Sequence, residues 1–167
     1  MWPVIVGGMA LLGAALVPLA RPKVVQPGSP APAFKLAKLD GGLATLDDWR
    51  GQVVLLNFWA TWCPGCVEEL PALDKLYRAN GKDGFSVVAV SLDEKGRSEV
   101  SPFVKKLGLS FPILLADSRV AAAYRVLGLP TTYLVDRSGV IVKRYSGVVD
   151  PAVLENDILA QLQRRKQ

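Results

Sequence analysis

The sequence predicts an α/β domain of three layers, and three observations predict it. Two near-continuous apolar runs, Val53 to Trp59 (VVLLNFW) and Phe85 to Leu92 (FSVVAVSL), suit strands buried on both faces. Stretches with helical apolar spacing alternate with them, as strand-helix-strand units require. A hairpin and a last amphipathic helix then close the chain. With 167 residues there is room for one ordinary domain and an appendage, and no internal repeat or second domain is visible.

The appendage comes first. Residues 2 to 20 (WPVIVGGMALLGAALVPLA) hold no charge. As a helix this run rises about 28 Å, close to the roughly 30 Å of a bilayer core. A buried core helix would need a polar face, which the run lacks. Residues 1–20 are therefore expected to form an uncleaved transmembrane signal anchor, because Pro18 spoils a cleavage site after Ala20. No third cysteine stands near residue 20 to be lipidated. The positive-inside tendency taken alone would put Arg21 and Lys23 in the cytoplasm; a start codon further upstream, with a basic leader, would reverse that. Residues 21–32 (RPKVVQPGSPAP), with four prolines, read as a stiff spacer outside any core, leaving 33–167 as the domain.

Within the domain, VVLLNFW is followed by a helix over Pro64 to Ala79, with Leu70, Leu73, Leu76 and Tyr77 on its inner side. Pro71 lies inside it and is expected to kink it. After the second buried strand come a helix over Val100 to Leu107, a short strand over Ile113 to Leu115, and a helix over Arg119 to Val126. Thr132 to Asp136 and Val140 to Tyr145 form a hairpin turning at Arg137-Ser138-Gly139. Pro151 to Gln163 is the closing helix, with Asp150 as its cap and proline at its first position.

Composition removes several chemistries. The net charge of +5 and a pI near 9.4 come from scattered basic residues, and the one cluster, Arg164, Arg165 and Lys166, is a solvated tail. No nucleic-acid partner is expected. There is no histidine, which removes Ser-His-Asp and Cys-His nucleophile pairs and the usual His-bearing metal sites. Two cysteines cannot close an all-thiolate zinc site, so neither metal nor other cofactor is expected.

Those two cysteines carry the informative pattern. Cys63-Pro64-Gly65-Cys66 follows a predicted buried strand and opens a predicted helix. A helix N-terminus presents free N–H groups and partial positive charge, which stabilise a thiolate. Cys63 at that terminus is expected to be the attacking thiol, its pKa below the ordinary value of about 8.5, and exposed at the strand end. Cys66, in the first turn, reaches it as the resolving thiol. A static disulfide is the competing interpretation, but a loop this small gives little entropic stabilisation.

Phe58 to Cys66 (FWATWCPGC) resembles the thioredoxin superfamily, specifically its membrane-anchored TlpA-like branch of ResA and CcmG/DsbE type. The resemblance runs over about residues 31 to 160, through APAFKLAKLDGG, LDDWRGQVVLLNFWATWCPGCVEELPAL and VLGLPTTYLVDRSG in order. It implies a thioredoxin-like fold with a central mixed sheet and a Cys63-Cys66 redox-active disulfide. Pro130 matches the family's cis-proline, so its loop is expected to face the cysteines, with the backbone at Leu129 binding substrate. Trp62 is expected to pack beside the pair and shape access to it. Glu69 matches the acidic position of Cys-x-x-Cys-x-x-Glu; if partly buried, its raised pKa would suit moving the proton of Cys66. The alternative for Glu69 is a solvated helix residue. Asn57 stands where thioredoxin has a buried aspartate and cannot titrate.

The resemblance also implies partners: a disulfide-bearing exported protein such as apocytochrome c, and a DsbD/CcdA-type membrane electron donor. The domain would face the periplasm or another extracytoplasmic space. With no histidine between the cysteines, a reductant is expected, its potential nearer about −270 mV than about −120 mV. A peroxiredoxin would need proline at 56 and threonine at 60, where the chain has Leu56 and Ala60. A copper carrier of the same fold generally recruits a distal histidine, which is absent.

Overall fold

The computed structural model describes residues 25–164, so the expected transmembrane segment, residues 1–20, lies outside the described residues. Among the described residues no helix is long and apolar enough to cross a membrane. The strands are β1 (Lys35–Lys38), β2 (Leu43–Thr45), β3 (Val53–Trp59), β4 (Phe85–Ser91), β5 (Ile113–Leu115), β6 (Thr131–Val135) and β7 (Ile141–Ser146). The helices are α1 (Pro64–Asn80), α2 (Arg97–Leu107), α3 (Ser118–Ala123) and α4 (Pro151–Gln163).

The strands form one mixed sheet in the order β2-β1-β5-β4-β3-β6-β7. β3 pairs parallel with β4 and antiparallel with β6, so it lies between partners of opposite direction. Every residue of β3 and β4 is buried, as the unbroken apolar runs predicted. Alternate side chains go to two cores. Val53, Leu55 and Trp59 join Leu70, Leu73 and Leu76 of α1 and Leu154 and Ile158 of α4. Val54, Leu56 and Phe58 join Val120, Tyr124, Tyr133 and Phe34 on the other side. Each such side chain contributes roughly 1.5–3 kcal/mol on burial. Asn57 points to the α1 side with Leu55 and Trp59, the one polar residue in that strand.

Several boundaries move for identifiable reasons. α2 begins three residues before Val100, at Arg97, because its first turn is solvent-facing and shows no apolar spacing. α3 stops short of Val126 because Arg125 takes φ 48°, a left-handed conformation that no α-helix continues through. β1 and β2 were not foreseen: strands this short, paired across a turn with Gly41 at φ 115° and Gly42 at φ 76°, show no alternation to detect. α1 continues through Pro71 to Asn80. The described part of the proline-rich segment is docked rather than free-standing. Gly28 N–H donates to Ile141 O, Ile141 N–H to Ser29 O and Ala31 N–H to Gly139 O, while Val25 and Ala31 pack on the second core.

Candidate active site

Four residues, Ala60 to Cys63, carry the chain from the end of β3 to the start of α1, and their neighbours hold them tightly. Cys63 N–H donates to Ala60 O at 3.2 Å, and Leu92 N–H to Trp59 O at 2.8 Å. Beneath the turn, the buried Asp93 accepts from Thr61 N–H with both oxygens at 3.1 Å, from the Thr61 hydroxyl at 2.5 Å and from the Ser91 hydroxyl at 2.7 Å. The loop cannot shift without breaking this knot.

Cys63 is the N-cap of α1, and Pro64 follows at the first helical position, where a missing N–H costs nothing. Cys63 Sγ accepts from Cys66 N–H at 3.2 Å, so one of the helix's free donors already points at the sulfur. The two cysteines form a disulfide with their Cα atoms 5.3 Å apart. The reach predicted for Cys66 is therefore observed, but the predicted exposure of Cys63 is not. Cys63 is 6% exposed and Cys66 1%. The cover comes from far along the chain. A side chain at Gly65 would meet Val148 Cγ2 at 2.8 Å and Pro130 Cδ at 3.7 Å, so both lie against the inter-cysteine turn. Cys63 nevertheless keeps the larger opening of the two.

The Leu129-Pro130 bond is cis, as the resemblance implied, and the contact with Gly65 puts Pro130 beside the cysteines. Leu129 precedes it, half-buried, and Pro130 O accepts from Gly147 N–H at 2.9 Å. That bond ties the cis-proline loop to the Gly147–Val149 segment. Trp62, expected beside the pair, is 67% exposed.

Glu69 is 4% exposed, so it is not a solvated helix residue. Oε1 accepts from Asn57 Nδ2 at 2.9 Å and Oε2 from Val149 N–H at 3.2 Å. Asn57 Nδ2 also donates to Thr132 Oγ1 at 2.9 Å. Burial pushes the Glu69 carboxyl above its ordinary range, and the hydrogen bonds from Val149 and Asn57 oppose that only partly. The structure thus brings Cys63, Cys66, Glu69 and Pro130 to one place, with Trp62 at its rim.

Three participants had no sequence signal. Asp93 sits one residue beyond an apolar strand, Thr132 is a strand residue like any other, and Val148 belongs to an unremarkable turn. The pairing of β6 with β3 sets Thr132 opposite Asn57, and the pairing of β4 with β3, which sets Ser91 opposite Trp59, brings Asp93 to the turn. Among the described residues no group of three His, Cys, Asp or Glu could hold a metal ion.

Comparison with known proteins adds a lineage to this geometry. A family model described as the AhpC/TSA family matches residues 27–144. The thioredoxin-like protein YneN of Bacillus subtilis is 40% identical over 136 residues, which are 80% of this chain and 79% of that protein. The thiol-disulfide oxidoreductase ResA of Geobacillus thermodenitrificans is 41% identical over 123 residues, 73% of this chain and 70% of that protein. Among solved structures, a Chlorobium tepidum protein described as thiol:disulfide interchange protein DsbE superposes with a TM-score of 0.79. It is 32% identical, over 83% of this chain and 99% of that one.

Proposed function

Because the chain belongs to the AhpC/TSA family and is a thiol-disulfide oxidoreductase of ResA/DsbE type, we propose that it reduces disulfides of exported proteins from a membrane tether. The observation that carries the reading is the Cys63-Cys66 disulfide at the head of α1, against the cis-proline loop.

In the reduced protein, the helix terminus and the Cys66 N–H stabilise the Cys63 thiolate. Cys63 Sγ attacks one sulfur of the substrate disulfide, forming a mixed disulfide and releasing the other substrate sulfur as a thiolate. Glu69, one helical turn beyond Cys66, takes the proton of the Cys66 thiol. Cys66 then attacks Cys63, which frees the reduced substrate and leaves the disulfide seen here. Two electrons have passed to the substrate. Trp62 and the backbone at Leu129 and Pro130 hold the substrate chain over the pair.

Rearming requires a dithiol donor, and its thiolate attacks Cys63, the more open sulfur. A DsbD/CcdA-type membrane protein fits that role. An exported apocytochrome c, with two cysteines that must be reduced before haem is joined, fits as substrate. Residues 1–20 would supply the tether, with the domain on the periplasmic or extracytoplasmic side. The apolar run supports the tether, and the ResA and DsbE names of the relatives support the chemistry.

The test is to express Cys66→Ser in cells and analyse non-reducing gels. Covalent adducts through Cys63 are expected, and a c-type cytochrome or its maturation factors among them supports the narrow reading. If no adduct forms and the purified dithiol binds copper(I) tightly instead, the chain is a carrier.

A further inference from the structure

We infer that Asn57 is a positioning residue for Glu69, its side-chain amide turning over when the carboxyl group gains or loses its proton. The inference rests on the proposed role of Glu69 as the group that moves a proton at this site.

Each oxygen of Glu69 faces a donor: Asn57 Nδ2 lies 2.9 Å from Oε1 and Val149 N 3.2 Å from Oε2. A carboxylate satisfies both. A carboxylic acid becomes a donor at one oxygen, and there it meets an N–H that cannot accept. Val149 N–H belongs to the backbone and cannot reverse. Asn57 can, because an amide carries its donor and its acceptor on opposite ends of one rotatable group.

The other end of that amide is the second observation. Both of its hydrogen bonds leave from Nδ2, to Glu69 Oε1 and to Thr132 Oγ1 at 2.9 Å each. Oδ1 is buried and has no partner. So the amide is held from one side only, and a half-turn breaks no bond at Oδ1. The hydroxyl of Thr132 donates as readily as it accepts. After the turn, Oδ1 accepts from the Glu69 O–H and from the Thr132 O–H, and the NH2 group takes the unpaired position. Each state keeps two hydrogen bonds and leaves one end of the amide unpaired, so the proton on Glu69 chooses between them. Aspartate at 57 would repel the carboxylate, and an apolar residue would serve neither state.

No competing charge is positioned to drive such a turn. Among the described residues no lysine or arginine pairs with Glu69. On α1, Cys66 is held in the disulfide and has no proton to exchange, and the adjacent Glu68 is exposed. On β7, Tyr145 lies across from Thr132, and its hydroxyl is committed to Asp157 of α4 at 2.7 Å. In the covering segment Asp150 follows Val149 and caps α4.

The experiment is a pH titration of the full-length chain, labelled with 15N and 13C and held in detergent. It follows the Glu69 carboxyl carbon and the Asn57 side-chain NH2 resonances together. The expected result is one shared midpoint, with the NOE from the Asn57 NH2 to the Thr132 methyl lost on the acid side. In Glu69→Gln the Asn57 resonances are expected to be independent of pH and to match the acid form. Asn57 signals that stay flat through the Glu69 transition, or an NOE to Thr132 that persists at low pH, overturn the proposal. The readout needs no turnover. Failure of the oxidoreductase reading would show separately, as full disulfide-reducing activity in Cys63→Ser.

Discussion

Helix α1 carries two buried carboxylates in opposite surroundings, Glu69 in its first half and Asp74 beyond it. Asp74 takes Ser110 N–H and the Ser110 hydroxyl on Oδ1, each at 2.7 Å, and Arg78 Nε on Oδ2 at 2.6 Å. Burial raises its pKa most as a single cause, yet the bonds from Ser110 and the charge of Arg78 together outweigh it, and the carboxyl lies below its ordinary range. Glu69 has two neutral donors and no cation, so burial prevails there and its pKa is raised. The helix is the same and so is the chemical group. What differs is the number and charge of the donors, and this moves the two pKa values in opposite directions. Asp74 fastens α1 to the connection between α2 and β5. Glu69 fastens α1 to β3 and to the segment before α4.

The contrast can be broken in several ways, and the largest effect is expected at Glu69. Glu69→Gln should slow reduction of a disulfide substrate by about 100-fold, the lower end of what a positioned acid–base group supplies. Its denaturation midpoint at neutral pH should not fall, because the glutamine removes a buried charge. A steady-state assay beside a urea melt reads both, and a rate near that of the wild type would remove Glu69 from the mechanism.

Asp74→Ala should do the reverse. Deleting it removes the bonds from Ser110 and Arg78, with an expected loss of about 2 kcal/mol in unfolding free energy. Activity per folded molecule should be unchanged. Chemical denaturation measures the first and the reductase assay the second; a variant that is stable but inactive would contradict the division of roles.

A smaller effect is expected at Gly65, where an added Cβ meets Val148 Cγ2 at 2.8 Å. Val148 is half exposed and can swing outward, so Gly65→Ala should cost only about 1 kcal/mol, the low end for overpacking. The displaced cover should make the Cys63-Cys66 disulfide react faster with a small thiol such as dithiothreitol. Unchanged reactivity would mean that Val148 does not guard it.

The pH dependence of stability sharpens the comparison most finely. Between the ordinary Glu value of 4.5 and its higher folded value, the native state binds the Glu69 proton more tightly than the unfolded chain does. Stability from this group is therefore complete below 4.5 and lost as pH rises through the folded value. Asp74 works in the other direction: its contribution is present above the ordinary 3.8 and lost as pH falls through its lower folded value. Melts of Glu69→Gln and Asp74→Asn across acid pH, each subtracted from the wild type, should show slopes of opposite sign.

Much of this site was legible before any coordinates. Cys63 and Cys66 follow a buried strand and open a helix, and that local context alone implies a nucleophile at the terminus and its partner within one turn. Pro130 and Glu69 were found only through resemblance, because nothing in their own neighbourhoods requires a cis bond or a buried acid. The errors share one origin. Cys63 was expected in the open and is covered; residues 25–32 were expected apart and are docked on β7.

The sequence by itself determined what depends on neighbours along the chain: the two buried strands, the capped helices and the thiol pair at a helix start. Periodicity and capping act over a few residues, so they can be read without a fold. Only the tertiary structure decided the electrostatics of Glu69 and the shielding of Cys63. Both depend on Thr132, Val148 and Val149, which reach the site because β6 pairs with β3 and a turn crosses Gly65. Desolvation is a property of everything packed around a group, and most of that packing comes from residues far away in the chain.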